Sequence, residues 1–473
     1  DYVEDVQELH AALLAAKAET SKPSIISLRT IIGYPAPKKQ NTGKIHGSAL
    51  GAEEVAALKK VLGFDPERAF QVDEDVLAHT RAAQARGAAA RAGWQEAFEA
   101  WQSANPENAA LLERVEAKKL PVELETALPV FEAGKDVSTR AASGKVLNAI
   151  GPVMPELWGG SADLAESNNT TIEGSPSFIP ASRSTGAWKG NPYGRVLHFG
   201  IREHAAASIV NGIALHGPTR AFSGTFLIFS DYQRPAIRLG ALMGVPSLYV
   251  WTHDSIGLGE DGPTHQPVEQ LASLRAIPGL DVVRPGDANE VAAAWKVMLE
   301  NHENPAGIVL TRQNIPTYAR GEGDADGDTF GAVTGVAKGG YVLAEASKDG
   351  ATVPAEVILI GTGSEVQLAV NAREALQAEG IPTRVVSMPC VEWFNKQDAA
   401  YREAVLPAAV KARVSVEAGL ALGWKEFVGD AGRSISLEHF GASADYKRLF
   451  QEFGITAEAV TAAAKDSLAS VTN

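Results

Sequence analysis

Between residues 196 and 310 short apolar runs alternate with amphipathic helical spacings, and this alternation restricts the folds open to the chain. Strand Val196–Phe199 leads to a helix running from Glu203 to His216, and a second strand and helix fill Thr219–Met243. Strand Val245–Trp251, a polar loop and helix Val268–Arg275 follow, then Val282-Val283, helix Asn289–Glu300 and strand Gly307–Leu310. Strands separated by helices of this length pair in parallel, so the expected class is α/β, with mainly parallel sheets covered by helices on both faces. A helix over Thr139–Ile150 precedes this series. A further α/β body is expected from strand Glu356–Ile360, helix Glu365–Ala378 and strand Thr383–Val386. At the amino-terminal side Val3, Val6, Leu9 and Leu13 recur at helical spacing, and Ser24–Gly33 is a β-branched run of buried-strand character. Helices are expected between Asp73 and Lys119, and the division is into bodies at 1–120, 121–322 and 323–473.

The chain has 473 residues, 43 basic and 57 acidic side chains and a net charge of −14. Nucleic acid and anionic membrane surfaces draw affinity from positive charge, so neither is an expected partner. An anionic substrate therefore has to be met by locally placed cations. The single cysteine, Cys390, excludes an intrachain disulfide and suits a reducing compartment, no apolar stretch is long enough to span a bilayer, and no signal-peptide pattern opens the chain. The expected location is cytoplasmic.

Chemistry concentrates in Thr252–Pro267, where two histidines and three carboxylates stand within a Gly/Pro-rich framework at the carboxyl end of a strand. His253, Asp261 and His265 are spaced by eight and four residues, which is not a zinc-binding pattern, and no metal ligand is assigned. Asp324, Asp326 and Asp328 begin like a calcium hand, but Thr329 and Gly335 occupy the positions that need Gly and Glu, so these acids are expected to be solvated. Gly361-Thr-Gly-Ser364 has the composition of a phosphate cradle and equally of an ordinary strand-to-helix turn. Glu203 in Gly-Ile-Arg-Glu-His opens a helix, where a carboxylate serves the helix dipole unless burial gives it another task. Phe226, Phe229 and Tyr232, spaced by three, form either a core stripe or an aromatic box. Arg140 and Arg312, each beside an element end, form either surface ion pairs or an anion site.

The loop Thr252–Pro267, together with Gly-Ile-Arg-Glu203-His and Phe222–Tyr232, closely resembles the transketolases, enzymes that use thiamine diphosphate to move two-carbon ketol units between sugar phosphates. The resemblance extends over nearly the whole chain and implies the thiamine-diphosphate-binding fold with a C-terminal α/β domain. It implies that Glu203 hydrogen-bonds N1′ of the cofactor's aminopyrimidine, that Phe226, Phe229 and Tyr232 enclose that ring, and that Asp163, His46 and Ile32 lie near the cofactor. By the same resemblance Arg140, Ser167, His253 and Arg312 bind the sugar phosphate, Asp261 meets a substrate hydroxyl, and His265 and His46 lie beside the reacting carbon. The family's Gly-Asp-Gly and Asn ligands for Mg²⁺ or Ca²⁺ have no counterpart here, since residues 1 to about 120 resemble only the last part of the first domain. These ligands are expected in an amino-terminal segment outside the chain. The expected activity is that of a transketolase acting in the pentose phosphate pathway as a homodimer with sites at the subunit interface. A deoxyxylulose-phosphate synthase-like enzyme, a 2-oxoacid dehydrogenase subunit and a non-catalytic fragment needing a partner chain are the alternatives.

Overall fold

A computed structural model describes residues 2–472, which fall into two compact units, Asp1–Asn105 and Pro106–Asn473. The first unit carries helices Tyr2–Ala18, Ala52–Val61 and Glu74–Ala104. The expected strand at Ser24–Gly33 is not formed: the segment is irregular, with Ile25 96% and Leu28 58% exposed. A strand needs a lateral partner for its N–H and C=O groups, and no strand occurs among the described residues of this unit. The β-branched composition therefore reports a liking for burial that the unit does not satisfy. Expected helices between Asp73 and Lys119 are present as Glu74–Ala104 and Pro106–Glu116.

The second unit holds two five-stranded sheets. In the first, β1 (Leu157–Ser161), β2 (Arg220–Phe226), β3 (Leu248–Thr252), β4 (Asp281–Val283) and β5 (Ala306–Leu310) lie in the order β1-β2-β3-β5-β4, with every neighbouring pair parallel. Alternation along β3 sends Leu248 and Val250 into one core and Tyr249 and Trp251 into another. The first core is completed by helices Thr139–Ile150 and Ala288–Glu300, through side chains such as Val146, Leu147, Val291 and Trp295. Helices Glu203–His216, Ser230–Met243 and Gln270–Arg275 supply the second, through Ala207, Ile237 and Leu271. Both faces of the sheet are thus covered by helices, as the strand-helix alternation requires. The expected strand Val196–Phe199 is reduced to isolated bridges, Val196 lying beside Gly159 of β1 on one side and Ser177 on the other.

The second sheet contains β6 (Tyr341–Ala344), β7 (Val357–Gly361), β8 (Thr383–Ser387), β9 (Ala412–Val416) and β10 (Arg433–Ile435), ordered β10-β9-β7-β8-β6. All its pairs are parallel except the edge pair of β6 with β8. Asp326 and Asp328, exposed as expected, also accept hydrogen bonds from the Thr352 and Ser347 hydroxyls and so tie their loop to the hairpin Ser347–Thr352. Among the described residues no helix is long and apolar enough to cross a membrane.

Close packing around β3 leaves no room for growth at its neighbour. A Cβ on Gly307 of β5 would stand 1.9 Å from the Trp251 ring, which is itself fixed by an indole N–H donated to Gln233 at 2.8 Å. Gly307→Ala is therefore expected to lower unfolding free energy by about 1–3 kcal/mol, the range for overpacking a rigid core. Urea unfolding of the two proteins measures it, and an unchanged midpoint would contradict this packing.

Candidate active site

Ser161, Phe226, Thr252 and Leu310 close β1, β2, β3 and β5, and because these strands are parallel neighbours, the residues that follow them emerge along one edge. Asp163, Leu164, Ile201, Glu203, Phe226, Phe229, Tyr232 and His265 line a cleft of about 530 Å³ there. Phe226 and Phe229 are stacked with centroids 5.9 Å apart, and Phe229 and Tyr232 are stacked at 6.0 Å. The His265 ring stands edge-on to Phe229 at 5.6 Å and to Phe226 at 6.5 Å. The triplet spacing thus makes an aromatic ladder along a cleft, rather than a stripe buried in the core. Glu203 opens helix Glu203–His216 on the same cleft, half-buried, with Ile201 beside it 76% exposed and Tyr232 64% exposed. Apolar walls therefore enclose the Glu203 carboxyl only in part.

Beyond the ladder lies a cationic patch. His253 is almost fully buried, lies face to face with Phe226 at 3.6 Å and has a φ of +60°, a left-handed backbone unusual for a side chain with a Cβ. Buried polar contacts hold it there. The Thr252 hydroxyl donates to Asn168 Oδ1 at 2.6 Å and lies 2.7 Å from His253 Nδ1. Having given its one proton to Asn168, it can only accept from Nδ1–H, which leaves Nε2 without a proton. Asn168 Nδ2 donates onward to Ser161 Oγ at 2.9 Å. Arg140 and Arg312 lie close enough to repel one another, and each makes only a backbone carbonyl bond, Arg140 to Ser167 at 2.7 Å and Arg312 to Leu258 at 3.0 Å. No carboxylate pairs with either among the described residues, so the surface ion-pair alternative does not describe them. Burial, then Arg140, Arg312 and His265, push the imidazole of His253 down to about 3.

Asp163 is exposed on the cleft, Ser167 is half-buried beside Arg140, and Asp261 is exposed on the loop that also carries His265. His46 and Ile32 belong to the first unit and are both exposed. They share one folded loop, in which Asn41 N–H donates to the Ile32 carbonyl at 2.9 Å and Gly33 abuts the side chain of Ile45. Gly361-Thr-Gly-Ser364 faces no open phosphate cradle: the carbonyl of Thr362 accepts from the buried Arg284 guanidinium at 2.9 Å, and Gly363 N–H donates to the Arg284 carbonyl at 3.1 Å. Sequence reasoning missed Asn168, Thr252 and Arg284. Asn168 directly follows Ser167, but only the turn closed by left-handed Asn169 aims it inward.

Three family profiles match, "Transketolase, thiamine diphosphate binding domain" over residues 2–121, "Transketolase, pyrimidine binding domain" over 135–317 and "Transketolase-like TK C-terminal domain" over 339–456. The chain is 58% identical over 98% of its length to the transketolase of Mycobacterium tuberculosis and 48% identical over 96% to that of Geobacillus stearothermophilus, spanning 65% of each relative. Its fold is similar to the crystal structure of a Pichia stipitis transketolase complexed with sedoheptulose 7-phosphate, with a TM-score of 0.90 and 39% identity, covering 99% of this chain and 66% of that one.

A buried neutral histidine makes stability depend on pH in a defined direction. With its folded value depressed, His253 favours the fold above its ordinary pKa of about 6.5 and loses that contribution as pH falls towards its folded value. The stability of the chain relative to its His253→Gln variant should therefore decline below pH 6.5, by up to about 1.4 kcal/mol per pH unit. Urea midpoints of both proteins between pH 4 and 8 measure it, and a difference independent of pH would mean that the imidazole titrates as if solvated.

Proposed function

The chain belongs to the transketolase family, and from that premise we propose that it forms the pyrimidine-binding and C-terminal parts of an enzyme transferring a two-carbon ketol unit from a ketose phosphate to an aldose phosphate. The observation that carries this reading is the ladder Phe226, Phe229 and Tyr232 on one cleft with Glu203 and His265, beside two arginines that no carboxylate neutralises among the described residues. The aromatic walls and adjoining carboxyl suit an aminopyrimidine ring. Thiamine diphosphate, when bound, supplies the electron sink for the carbon–carbon bond that breaks. Glu203 holds the ring by a hydrogen bond at N1′, and the ladder excludes water from its faces, with Asp163 at the rim. His265, edge-on to two rings of the ladder, exchanges a proton near the reacting carbon. His46 and Ile32 are assigned to the neighbourhood of the cofactor by the family resemblance alone.

Arg140, Arg312, Ser167 and His253 bind the sugar phosphate in this reading, the arginines and Ser167 donating and His253 accepting at Nε2 from a hydroxyl of the phosphate, which gives an anion a local site on a chain of net charge −14. Asp261 accepts from a sugar hydroxyl. Among the described residues no cluster of His, Cys, Asp and Glu is placed to hold Mg²⁺ or Ca²⁺ on the diphosphate. A second copy is the partner that closes the site, since Ile209, Leu215, Leu239 and Leu242 leave an exposed apolar surface on the helices that follow Glu203 and Phe229. A cytoplasmic place in the pentose phosphate pathway and the divisions at 120 and 322 belong to the same reading.

The 473-residue chain should bind thiamine diphosphate weakly and gain little from Mg²⁺, because the ring pocket is present and the metal set is not part of it. Titration calorimetry decides, and tight Mg²⁺-dependent binding would overturn the assignment of the metal site. In the active enzyme, Glu203→Ala should lower turnover by about 10²-fold or more at saturating cofactor. Arg312→Ala should raise KM for phosphorylated donors by about 10- to 100-fold, the worth of a charge-assisted hydrogen bond, and leave a donor without phosphate unaffected. Equal losses on both donors would make Arg312 a fold residue.

A further inference from the structure

The loop between β3 and helix Gln270–Arg275 is held by Arg284 and by residues from beyond position 360, none of which lines the aromatic cleft. At its start Asp254 accepts from Arg284 Nε at 3.0 Å and Nη2 at 2.7 Å, and the same guanidinium donates to Glu365 at 2.5 Å. Past its end Arg275 donates twice to Glu417, both at 2.8 Å. Its middle is gripped by the segment 441–445. Gln266 Nε2 donates to the carbonyls of Ala442 and Gly259, both at 2.9 Å, and the Ser443 hydroxyl donates to the carbonyl of Glu260. Contact there is tight: a Cβ on Gly441 would fall 1.7 Å from Gln266 Oε1.

These bonds fall on both sides of Asp261 and just past His265, while those two side chains are left open, Asp261 exposed and His265 half-buried. A short loop fixed at the Glu260 carbonyl and tied through the Gln266 side chain has little freedom to re-aim the side chains between them. We propose that the segment 441–445 is a specificity-determining part of the site, positioning Asp261 and His265 through the backbone of residues 258–266, so that the C-terminal sheet body sets which sugar hydroxyl configuration is accepted. This inference rests on the reading of the loop as a substrate loop given above. Ser443 and Gln266 are positioning residues and touch no substrate.

Ser443→Ala removes one grip from an exposed position and leaves the buried ion pairs intact. Hydrogen exchange followed by mass spectrometry on the full chain should show the amides of residues 258–266 exchanging about 5- to 10-fold faster, the scale of one hydrogen bond, with β2 and β3 unchanged. In the active enzyme the same variant should lose about 5- to 10-fold in discrimination between ketose phosphates epimeric at the hydroxyl beside the carbonyl, through KM with kcat nearly constant, and Ser443→Thr should restore it. Gly441→Ala, which displaces Gln266, should act in the same direction. Unchanged exchange in both variants overturns the grip. Faster exchange with discrimination intact overturns the positioning role, provided that Asp261→Ala does lose discrimination. If Asp261→Ala keeps it as well, the reading of Asp261 fails and this inference falls with it.

Discussion

Burial of β3 on both faces is the constraint from which the site follows. Leu248, Tyr249, Val250 and Trp251 are all shielded from water, two towards each set of helices, so the strand has no polar outlet along its length. Polar residues can begin only where the strand ends, at Thr252. Because β1, β2 and β5 are parallel neighbours of β3, directly or through one strand, their own polar continuations start on the same edge. Chemistry gathers at that edge because the sheet leaves it nowhere else to go.

Electrostatics sets the arginines at that edge apart from the two buried where the sheets meet. Arg284 and Arg275 have lost their water and recovered the cost through carboxylates at hydrogen-bond distance. Burial alone pushes the Arg284 guanidinium down, and Glu365 and Asp254 more than offset it, holding the group above its ordinary value. Arg140 and Arg312 have only backbone carbonyls, and a neutral His253 stands between them and the ladder. Arg284 and Arg275 are neutralised where they lie, whereas Arg140 and Arg312, close to one another beyond the ladder, are left with attraction to spare for an anion. Against a net charge of −14, such a local surplus is the arrangement that gives an anionic ligand a defined place to bind.

What could be read from the sequence was what short-range physics writes there. Helix Thr139–Ile150 was legible because its apolar positions recur with the helical period and its core face is continuous. The ladder was legible as a spacing of three, which by itself left both a core stripe and an aromatic box open. Ser24–Gly33 misled for the complementary reason: β-branched composition states that a segment would profit from burial, and says nothing of whether a partner strand is present to pair with it. Arg284 could not be read at all. Its partners Asp254 and Glu365 lie 30 and 81 residues away, and no local pattern distinguishes an arginine that will be buried between two carboxylates from one left in water.

That unreadable arginine also explains why the Gly-Thr-Gly-Ser turn resembles a phosphate cradle. A turn of this composition is made to bring backbone close to a planar or tetrahedral group and surround it with hydrogen-bonding atoms. Here Thr362 turns its carbonyl, not its N–H, towards the group it meets, and that group is a guanidinium. The polarity is therefore opposite to that of a phosphate site, where N–H groups must converge. Glu365 at the head of the following helix completes the cage, accepting from Arg284 and from the Ala418 N–H at 3.0 Å. One glycine-rich turn thus joins the sheet that carries the cleft to the sheet that follows it, and the loop beginning at Asp254 inherits its position from that junction.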